Sequence, residues 1–365
     1  MNPAFVIFMI ILLLTANVYV FCRLYGMIPE GNRFRIAVVI FSVGIFASFV
    51  GSAFCEHFPI GIAAVLQKIS SSWLFIFIYF LMIILLLDLL RASHWLPVEK
   101  IMRNSWAGFA AVLALVMAIM TYGYFNYLDK KRVELFIVDE KMEIGNHIKI
   151  VAFSDLHLGY NVGKDELRDW IQLVNEENPD LVLIAGDIVD NTVRPLYAQE
   201  MDLEFRRIRS KYGVYAIMGN HEYRDAESTD FIRRAGICLL RDTVVSINNH
   251  LYIAGRDDRS NANRKPLESL LAGLDSSKQV ILLDHQPFHL EEAEKNDITL
   301  QLSGHTHHGQ VWPLSLITRL IFEKAHGYLK KGNSHIYVSS GIGIFGGKFR
   351  IGTQSEYVVI QLKSK

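Results

Sequence analysis

The chain has 365 residues, of which 51% are hydrophobic and only 20% are charged, an apolar balance for a soluble protein. Its 37 basic and 37 acidic residues give a formal net charge of zero. No strongly basic face is therefore implied, and nucleic acid is not expected as a partner. The three cysteines, Cys22, Cys55 and Cys238, form no Cys-x-x-Cys zinc pattern and do not suggest a disulfide framework.

The apolar residues concentrate in the first third of the chain, where four stretches reach the length of about 20 residues that crosses a bilayer. They run approximately over Pro3–Cys22, Ile36–Phe54, Trp73–Leu90 and Trp106–Phe125. The first stretch lacks a basic start and a clear cleavage site, so we expect it to be retained rather than removed as a signal peptide. The sequence thus predicts a transmembrane region over residues 1–128 and an integral membrane protein.

Loop charges give an expectation for orientation. Six basic residues lie in the loops after the first and third spans, against four in the loop after the second span and directly after the fourth. The positive-inside rule then places the first and third loops in the cytoplasm and the large C-terminal part outside it. Asp88 is the only carboxylate within a predicted span, and Arg91 at i+3 offers an ion partner. We therefore favour a structural pairing for Asp88 over a role in transport.

Residues 129–147 are predicted to form a charged linker and an edge strand, VELFIV, and residues 148–365 a globular domain. Apolar β-branched runs alternate there with two helical patterns, DELRDWIQLVNEEN and PLYAQEMDLEFRRIRSKYG. Strands alternating with helices predict an α/β fold. The later runs LYIAGRD, HIYVSSGIG and YVVIQL come without helices between them. We expect them to form a second, more antiparallel sheet packed on the first.

Polar clusters follow five of the predicted strands, at the carboxyl ends where ligands bind in open α/β sheets. Their candidate residues are Asp155 and His157, Asp187 and Asp190, Asn220 and His221, His285, and His305 with His307. In the D-x-H pair an extended segment would point both side chains to one side. A single such cluster is most often a turn or a packed core histidine, but burying this many ionisable groups without partners would be costly.

Carboxylate, amide and imidazole groups together suit borderline divalent metals such as Mn, Fe, Zn, Co or Ni. The set is too large for one tetrahedral ion, and two ions bridged by a carboxylate fit it better. The sequence therefore predicts two divalent metal ions as cofactors.

In combination these motifs resemble the calcineurin-like metallophosphoesterases, and within them a membrane-associated bacterial branch. The D-x-H, GD-x-x-D, GNH-[DE], lone His and GH-x-H pattern of that family stands here as Asp155-Leu156-His157, Gly186–Asp190, Gly219–Glu222, His285 and Gly304–His307. The resemblance covers about Ile148 to the C-terminus and leaves the membrane third uncovered. It implies a four-layer α/β/β/α sandwich, which follows the predicted four-helix transmembrane region. The likeness to the bacterial branch further implies a bacterial inner or plasma membrane as the location.

The resemblance also implies roles for the site residues. Asp155, His157, Asp187 and His307 would hold one metal, and Asp187, Asn220, His285 and His305 the other, with Asp187 bridging them. His221 would be no ligand but would protonate the leaving group, with Asp190 holding its ring. Two departures stand out. Asn191 replaces the arginine of the protein-phosphatase branch, which speaks against that activity. His308 replaces a glycine of the membrane-associated relatives, and a tolerated loop variant is favoured over a phosphate contact.

These features predict a membrane-anchored metal-dependent phosphoesterase acting on a phosphate ester or pyrophosphate, with a lipid-linked substrate favoured. Residues 311–333, rich in apolar side chains and flanked by Lys324, Lys330 and Lys331, suit contact with a bilayer. A surface helix packed on the sandwich is the alternative interpretation of this segment. A tethered phosphodiesterase of soluble nucleotides or general phosphoesters stays open as a second function, and a non-catalytic metal or phosphate sensor as a third.

Overall fold

The computed structural model describes residues 3–94, 97–139, 147–248 and 250–364. Residues 140–146 of the predicted linker lie outside this description. The chain divides into two compact units, Met1–Tyr124 and Phe125–Lys365. The predicted boundaries at 128 and 147 are not tested by this division and stay a prediction.

The first unit is helical. Its helices are α1 (Pro3–Met27), α2 (Phe34–Ala53), α3 (Ile60–Ala92), α4 (Glu99–Met102) and α5 (Trp106–Leu128), of which α5 ends in the second unit. Four of them, α1, α2, α3 and α5, are long and apolar enough to cross a membrane, as the sequence predicts. Asp88 in α3 accepts a hydrogen bond from the Tyr19 hydroxyl and pairs with Arg23 at 2.8 Å and Arg91 at 3.4 Å. This carboxylate thus has structural partners on two helices.

The second unit contains two six-stranded sheets. Its strands are β1 (Lys130–Asp139), β2 (His147–Phe153), β3 (Leu181–Ile184), β4 (Val214–Ile217), β5 (Cys238–Leu240), β6 (Thr243–Ile247), β7 (Leu251–Gly255), β8 (Gln279–Leu283), β9 (Leu300–Ser303), β10 (Gly327–Lys331), β11 (Ser334–Val338) and β12 (Ser355–Ser364). Its helices are α6 (Lys164–Glu176), α7 (Arg194–Ala198), α8 (Met201–Phe205), α9 (Ser228–Arg234), α10 (Leu267–Leu271), α11 (Glu291–Lys295) and α12 (Leu314–Ile321).

Strand alternation builds three apolar interfaces. In β2, Val151 packs with Trp170 of α6 and Phe231 of α9 on one face of the first sheet. Ile150, which points to the other face, packs with Ile281 of the second sheet. The far face of the second sheet packs against α10 and α11. Helices, sheet, sheet and helices therefore form four layers, as expected, and burying each such aliphatic side chain contributes about 1.5–3 kcal/mol.

The sheet order differs from the sequence-based expectation in two ways. The first sheet runs β1-β12-β2-β3-β4-β5, so YVVIQL lies in it, between β1 and β2, and not in the second sheet. The second sheet runs β10-β11-β9-β8-β7-β6, and its strands β7, β8, β9 and β11 are parallel. Among the described strands, two of its five pairs are antiparallel, against one of five in the first sheet, so the second sheet is the more antiparallel one, as expected. However, helices α10, α11 and α12 separate LYIAGRD from HIYVSSGIG, where the sequence predicted none, because these short helices carry too little periodicity to be recognised.

Strand register shows where the chain enters the domain after the last apolar helix. β12 is antiparallel to β2, with Val358 opposite Ala152, so the start of β12 lies at the carboxyl end of β2. β1 is parallel to β12, with Lys130 opposite Ser355. Since α5 ends at Leu128, the chain enters the domain on the side of the sheet where the carboxyl end of β2 lies. β1 is an edge strand, in agreement with the VELFIV prediction.

Candidate metal centre

The predicted polar residues follow strands β2, β3, β4, β8 and β9 at their carboxyl ends. The structure brings them together in buried groups: Asp155, His157 and His307; His157, Asp187 and His221; Asp187, His285 and His305. In each group the candidate ligand atoms lie within 4.8 Å of one another. Five segments far apart in sequence thus converge on one edge of the sandwich.

The first group is centred on two imidazoles. His157 Nε2 and His307 Nε2 lie 2.9 Å apart, and Asp155 Oδ1 lies 3.6 Å from His307 Nε2. Burial and the positive charge of the neighbouring His157 hold the pKa of His307 well below its usual range. His307 therefore offers a neutral imidazole, the form that binds metal ions.

A second pair of imidazoles, His285 and His305, lies beside Asn220. We call these three residues the second group, and Asp155, His157 and His307 the first group. His285 Nδ1 lies 2.7 Å from the Ala185 carbonyl oxygen. Donation of that N–H leaves Nε2 towards Asp187, 3.1 Å away. Burial opposes protonation of His285, but the charge of Asp187 outweighs it and raises the pKa of the imidazole well above its usual range. A metal ion bound at Nε2 would take the place of that proton. His305 Nδ1 lies 2.8 Å from Asn220 Oδ1, which brings the amide oxygen into the group. Burial and the charge of His285 lower the pKa of His305 to about 4, so this imidazole, like that of His307, is neutral.

Asp187 lies between the two groups. Its Oδ2 atom is 3.6 Å from His157 Nε2 and 3.1 Å from His285 Nε2, while Oδ1 accepts a hydrogen bond from the His221 backbone N–H at 3.0 Å. Burial opposes ionisation of Asp187, but the neighbouring histidines, led by His285, outweigh it and hold the pKa of the carboxyl well below its usual range. One carboxylate oxygen thus faces both groups, as a bridging ligand requires.

The arrangement fits divalent metal ions. The buried Nε2 of His285 makes no hydrogen bond to the residues that the structure describes, although it lies close to Asp187. In the first group, His157 Nε2 and His307 Nε2 lie 2.9 Å apart, beside the carboxylates of Asp187 and Asp155, respectively. A buried nitrogen without a hydrogen-bond partner is costly, and a cation bound to it would remove that cost. The assignment of each residue to one ion stays a prediction.

The backbone of the ligand segments is unusual. Asp155, His157, Asp187, His305 and His307 have φ between 46° and 71°, a left-handed conformation that non-glycine residues adopt at a cost of about 1–3 kcal/mol each. The D-x-H pair is therefore not extended, and the expectation that two extended residues point to one side was wrong. The two side chains meet because both residues turn through the left-handed region.

His221 and Asp190 lie beside the first group. His221 Nδ1 is 2.6 Å from the Asp190 carbonyl oxygen and 3.2 Å from its Oδ1. Donation to the carbonyl leaves Nε2 as the atom that can exchange a proton with a bound molecule. The His157 and His221 rings lie 4.4 Å apart, so His221 borders the ligand groups. Its assignment as proton donor rather than ligand stays a prediction.

Comparison with known proteins agrees with this site. Residues 148–309 match the model of the calcineurin-like phosphoesterase family. An uncharacterised metallophosphoesterase of Aquifex aeolicus is 37% identical over 246 residues, which cover 64% of this chain and 92% of that protein. The chain belongs to the calcineurin-like metallophosphoesterases. Members of this family are metal-dependent phosphoesterases with a dinuclear divalent metal site, and this chain is a hydrolase of that class.

Other relatives extend into the apolar third. A zebrafish transmembrane protein with a metallophosphoesterase domain is 31% identical over 285 residues, covering 73% of this chain and 65% of that protein. This chain thus spans about two thirds of that relative's length. Among solved structures, a dimetal phosphatase from the same fish is similar at 13% identity and a TM-score of 0.38, covering 53% of this chain and 88% of the phosphatase. The four apolar helices and the zebrafish transmembrane relative indicate membrane localisation for this metallophosphoesterase.

Glu222 is a functional residue that sequence reasoning missed. Its carboxylate is buried and accepts backbone N–H bonds from Gly219 at 2.6 Å, Val189 at 2.8 Å and Asp187 at 3.2 Å. Burial and the negative charge of Asp187 raise the pKa of Glu222 to about 7. The side chain thereby ties the GD-x-x-D loop to the GNHE loop. Its position directly after His221 was the available indication.

Arg350 is a second such residue. It is fully buried, and its guanidinium donates to the carbonyl oxygens of His307 at 2.8 Å, Ser340 at 2.6 Å and Gly343 at 2.9 Å. Burial lowers its pKa to about 10, which still leaves the group charged at neutral pH. Arg350 holds the GH-x-H loop in place from a part of the chain that carries no motif.

His308 and Asn191, the two departures from the family pattern, contact arginines. His308 stacks on His326 with ring centroids 4.7 Å apart, and its Nε2 lies 3.3 Å from Arg319 of α12. Asn191 Oδ1 accepts a hydrogen bond from Arg224 at 2.5 Å. His308 thus has a packed place in its loop, in keeping with the interpretation as a loop variant.

Replacing Glu222 by Ala is expected to lower the free energy of unfolding by about 1–3 kcal/mol, because buried backbone N–H groups lose their acceptor. Thermal unfolding of the metal-free protein in detergent should report this loss as a lower Tm. Glu222→Gln is the comparison variant: its amide oxygen can keep the bonds from Gly219 and Asp187, whereas its NH2 group cannot accept from Val189, so its Tm should fall less than that of Glu222→Ala. A Glu222→Ala protein with unchanged Tm would show that the loops do not depend on this side chain.

Proposed function

We propose that this metallophosphoesterase hydrolyses a phosphate ester or pyrophosphate of a lipid-linked substrate at a dinuclear centre, from the extracytoplasmic side of an inner or plasma membrane. The observation that carries the proposal is the register of β1. Lys130 follows the last apolar helix and pairs with Ser355, at the same sheet edge where Asp155 and His157 follow β2. Because the candidate site lies on the side of the sheet where the chain leaves the last apolar helix, we infer that its substrate carries a phosphate group at the membrane surface.

The residues of the site suit hydrolysis. Two divalent ions, when bound by the seven candidate ligands, would polarise the phosphate group and supply activated water. His221 is oriented through the Asp190 carbonyl, and its Nε2 can deliver a proton to the leaving oxygen. Glu222 and Arg350 form hydrogen bonds with the backbone of the loops that carry Asp187 and His307. These buried bonds hold the candidate ligands in place, which limits the reorganisation needed during reaction.

The distribution of loop charge supports the proposed side of the membrane for the catalytic domain. The six basic residues of the first and third loops outnumber the four on the other side, which supports an extracytoplasmic domain. The metal identities and the headgroup of the lipid are left open within this proposal, because imidazole, carboxylate and amide ligands serve several divalent metals.

To test the proposal, the full chain is placed in lipid nanodiscs and its metal centre is loaded with Mn²⁺. A matched pair of phosphodiesters with one headgroup, one carrying long acyl chains and one carrying short soluble chains, should be compared. We expect a higher kcat/KM for the long-chain ester, because its phosphate is delivered along the membrane to the site. Equal kcat/KM for the pair, or faster turnover of nucleotides, would instead favour a soluble substrate and leave the helices as a tether. A chain that binds metal and turns over none of these compounds would point to the sensor function.

A further inference from the structure

Helix α12 leaves its apolar side chains uncovered. Leu316, Ile317, Leu320 and Ile321 are 48%, 51%, 88% and 57% exposed, respectively. The helix sequence LSLITRLI contains one cation, Arg319, and no acidic residue. A contiguous exposed apolar face of this kind marks an interaction site rather than an ordinary surface. α12 is thus a surface helix that rests on the domain through the buried Ser315, while these four side chains stay uncovered.

The position of α12 in the domain indicates what covers it. Asn126, in the last turn of α5, donates hydrogen bonds to the carbonyl oxygens of Arg350 at 2.9 Å and Thr353 at 2.6 Å. The backbone N–H of Trp312, just before α12, donates to the Ile351 carbonyl at 2.7 Å. One short segment, residues 350–353, thus contacts both the end of a membrane-spanning helix and the start of α12.

The same helix is packed tightly against the metal centre. Gly309 of the GHTHHG loop has φ +73°, and a Cβ there would collide with the backbone of Leu314 and Ser315. At the other end of α12, the Phe322 ring lies 6.0 Å from the ring of His305. Contacts at both ends of α12 thus join the helix to the loop that carries two candidate ligands, His305 and His307.

We propose that α12 is an interfacial helix whose apolar face, Leu316, Ile317, Leu320 and Ile321, inserts into the bilayer that the chain's own spans cross. We favour lipid as the partner that covers this face. The last apolar helix ends at Leu128, and residues 350–353 form hydrogen bonds both with Asn126 in that helix and with Trp312 just before α12. An amphipathic helix with a cationic and no anionic side chain is suited to lie in the headgroup region of a membrane. This contact does not require a lipid-linked substrate, and it would hold the metal centre against the bilayer whichever phosphoester is cleaved.

The test uses the full chain in nanodiscs of phosphatidylcholine and phosphatidylglycerol. Cys22, Cys55 and Cys238 are replaced by Ser, and Leu320→Cys is labelled with the environment-sensitive fluorophore NBD. Because Leu320 is the most exposed of the four side chains, this change should not disturb folding. Ser276→Cys is the matched control. Ser276 is exposed and precedes β8, so it lies at the amino ends of the strands, on the side of the sheet opposite to the candidate site. We expect emission from position 320 to lie at shorter wavelength, and brominated acyl chains to quench it several-fold more than emission from position 276.

Each other result overturns the proposal. Emission from position 320 typical of water, with no quenching, would show that α12 is free in solvent. A shift to shorter wavelength without quenching by brominated lipid would show that protein, from this chain or a second copy, covers the helix. The readout needs no turnover, so it fails or succeeds independently of the substrate comparison proposed above.

Discussion

Replacing Asp187 by Asn is expected to abolish turnover and to lower bound metal at both positions. Asp187 Oδ2 faces nitrogens of His157 and His285, which belong to different ligand groups. Asparagine has nearly the same shape and can still accept the His221 backbone N–H, so the change isolates the negative charge. Asp155 and Asp187 are the two carboxylates among the seven candidate ligands, and loss of either leaves the cations poorly neutralised.

Metal content measured by mass spectrometry after dialysis against a weak chelator checks this expectation. Asp155→Asn is the matched variant, because Asp155 faces the first group through His307. It should lower occupancy of one ion, whereas Asp187→Asn should lower occupancy of both. An Asp187→Asn protein that kept the full metal content and full kcat would show that the bridging assignment is wrong.

The features that the sequence predicted well are those that depend on local pattern. Four apolar stretches became α1, α2, α3 and α5, and DELRDWIQLVNEEN became α6, because length and periodicity decide such elements. The five polar clusters were predicted to meet because each follows a strand, and parallel strands end at one edge. The longer pattern PLYAQEMDLEFRRIRSKYG was expected to be one helix but forms α7 and α8, since Glu200 at φ +51° interrupts it.

The features that the sequence could not predict depend on contacts between distant segments. YVVIQL pairs with β1 and β2, which lie more than 200 residues earlier in the chain. Such pairing depends on the whole domain and cannot be predicted from a short stretch of sequence. The left-handed ligand residues are stabilised by their neighbours, and propensity alone would exclude them. Arg350 carries no motif, and its role follows from burial against the loops that it bonds. The apolar face of α12 was recognised from composition, but its exposure was not.

Replacing His221 by Ala is expected to lower kcat by about 10²–10⁴-fold on esters with poor leaving groups, the usual contribution of a general acid. The two metal ions should be retained, since the ligand set is complete without this side chain. The structure orients the imidazole through the Asp190 carbonyl, 2.6 Å from Nδ1. The proton available for transfer is therefore on Nε2, and a leaving alkoxide without that proton would depart slowly.

Comparison of two phosphoesters separates this role from a structural one. A nitrophenyl ester has a leaving group that needs no proton, so His221→Ala should reduce its kcat far less than that of an alkyl ester. Asp190→Asn provides a second readout, because it keeps the carbonyl that orients His221 while removing the carboxylate that lies 3.2 Å from Nδ1. If the carbonyl holds the ring, this variant should retain most of the selectivity between the two esters. Equal losses on both esters in His221→Ala, with metal content intact, would show that the side chain acts on binding or structure and donates no proton in the rate-limiting step.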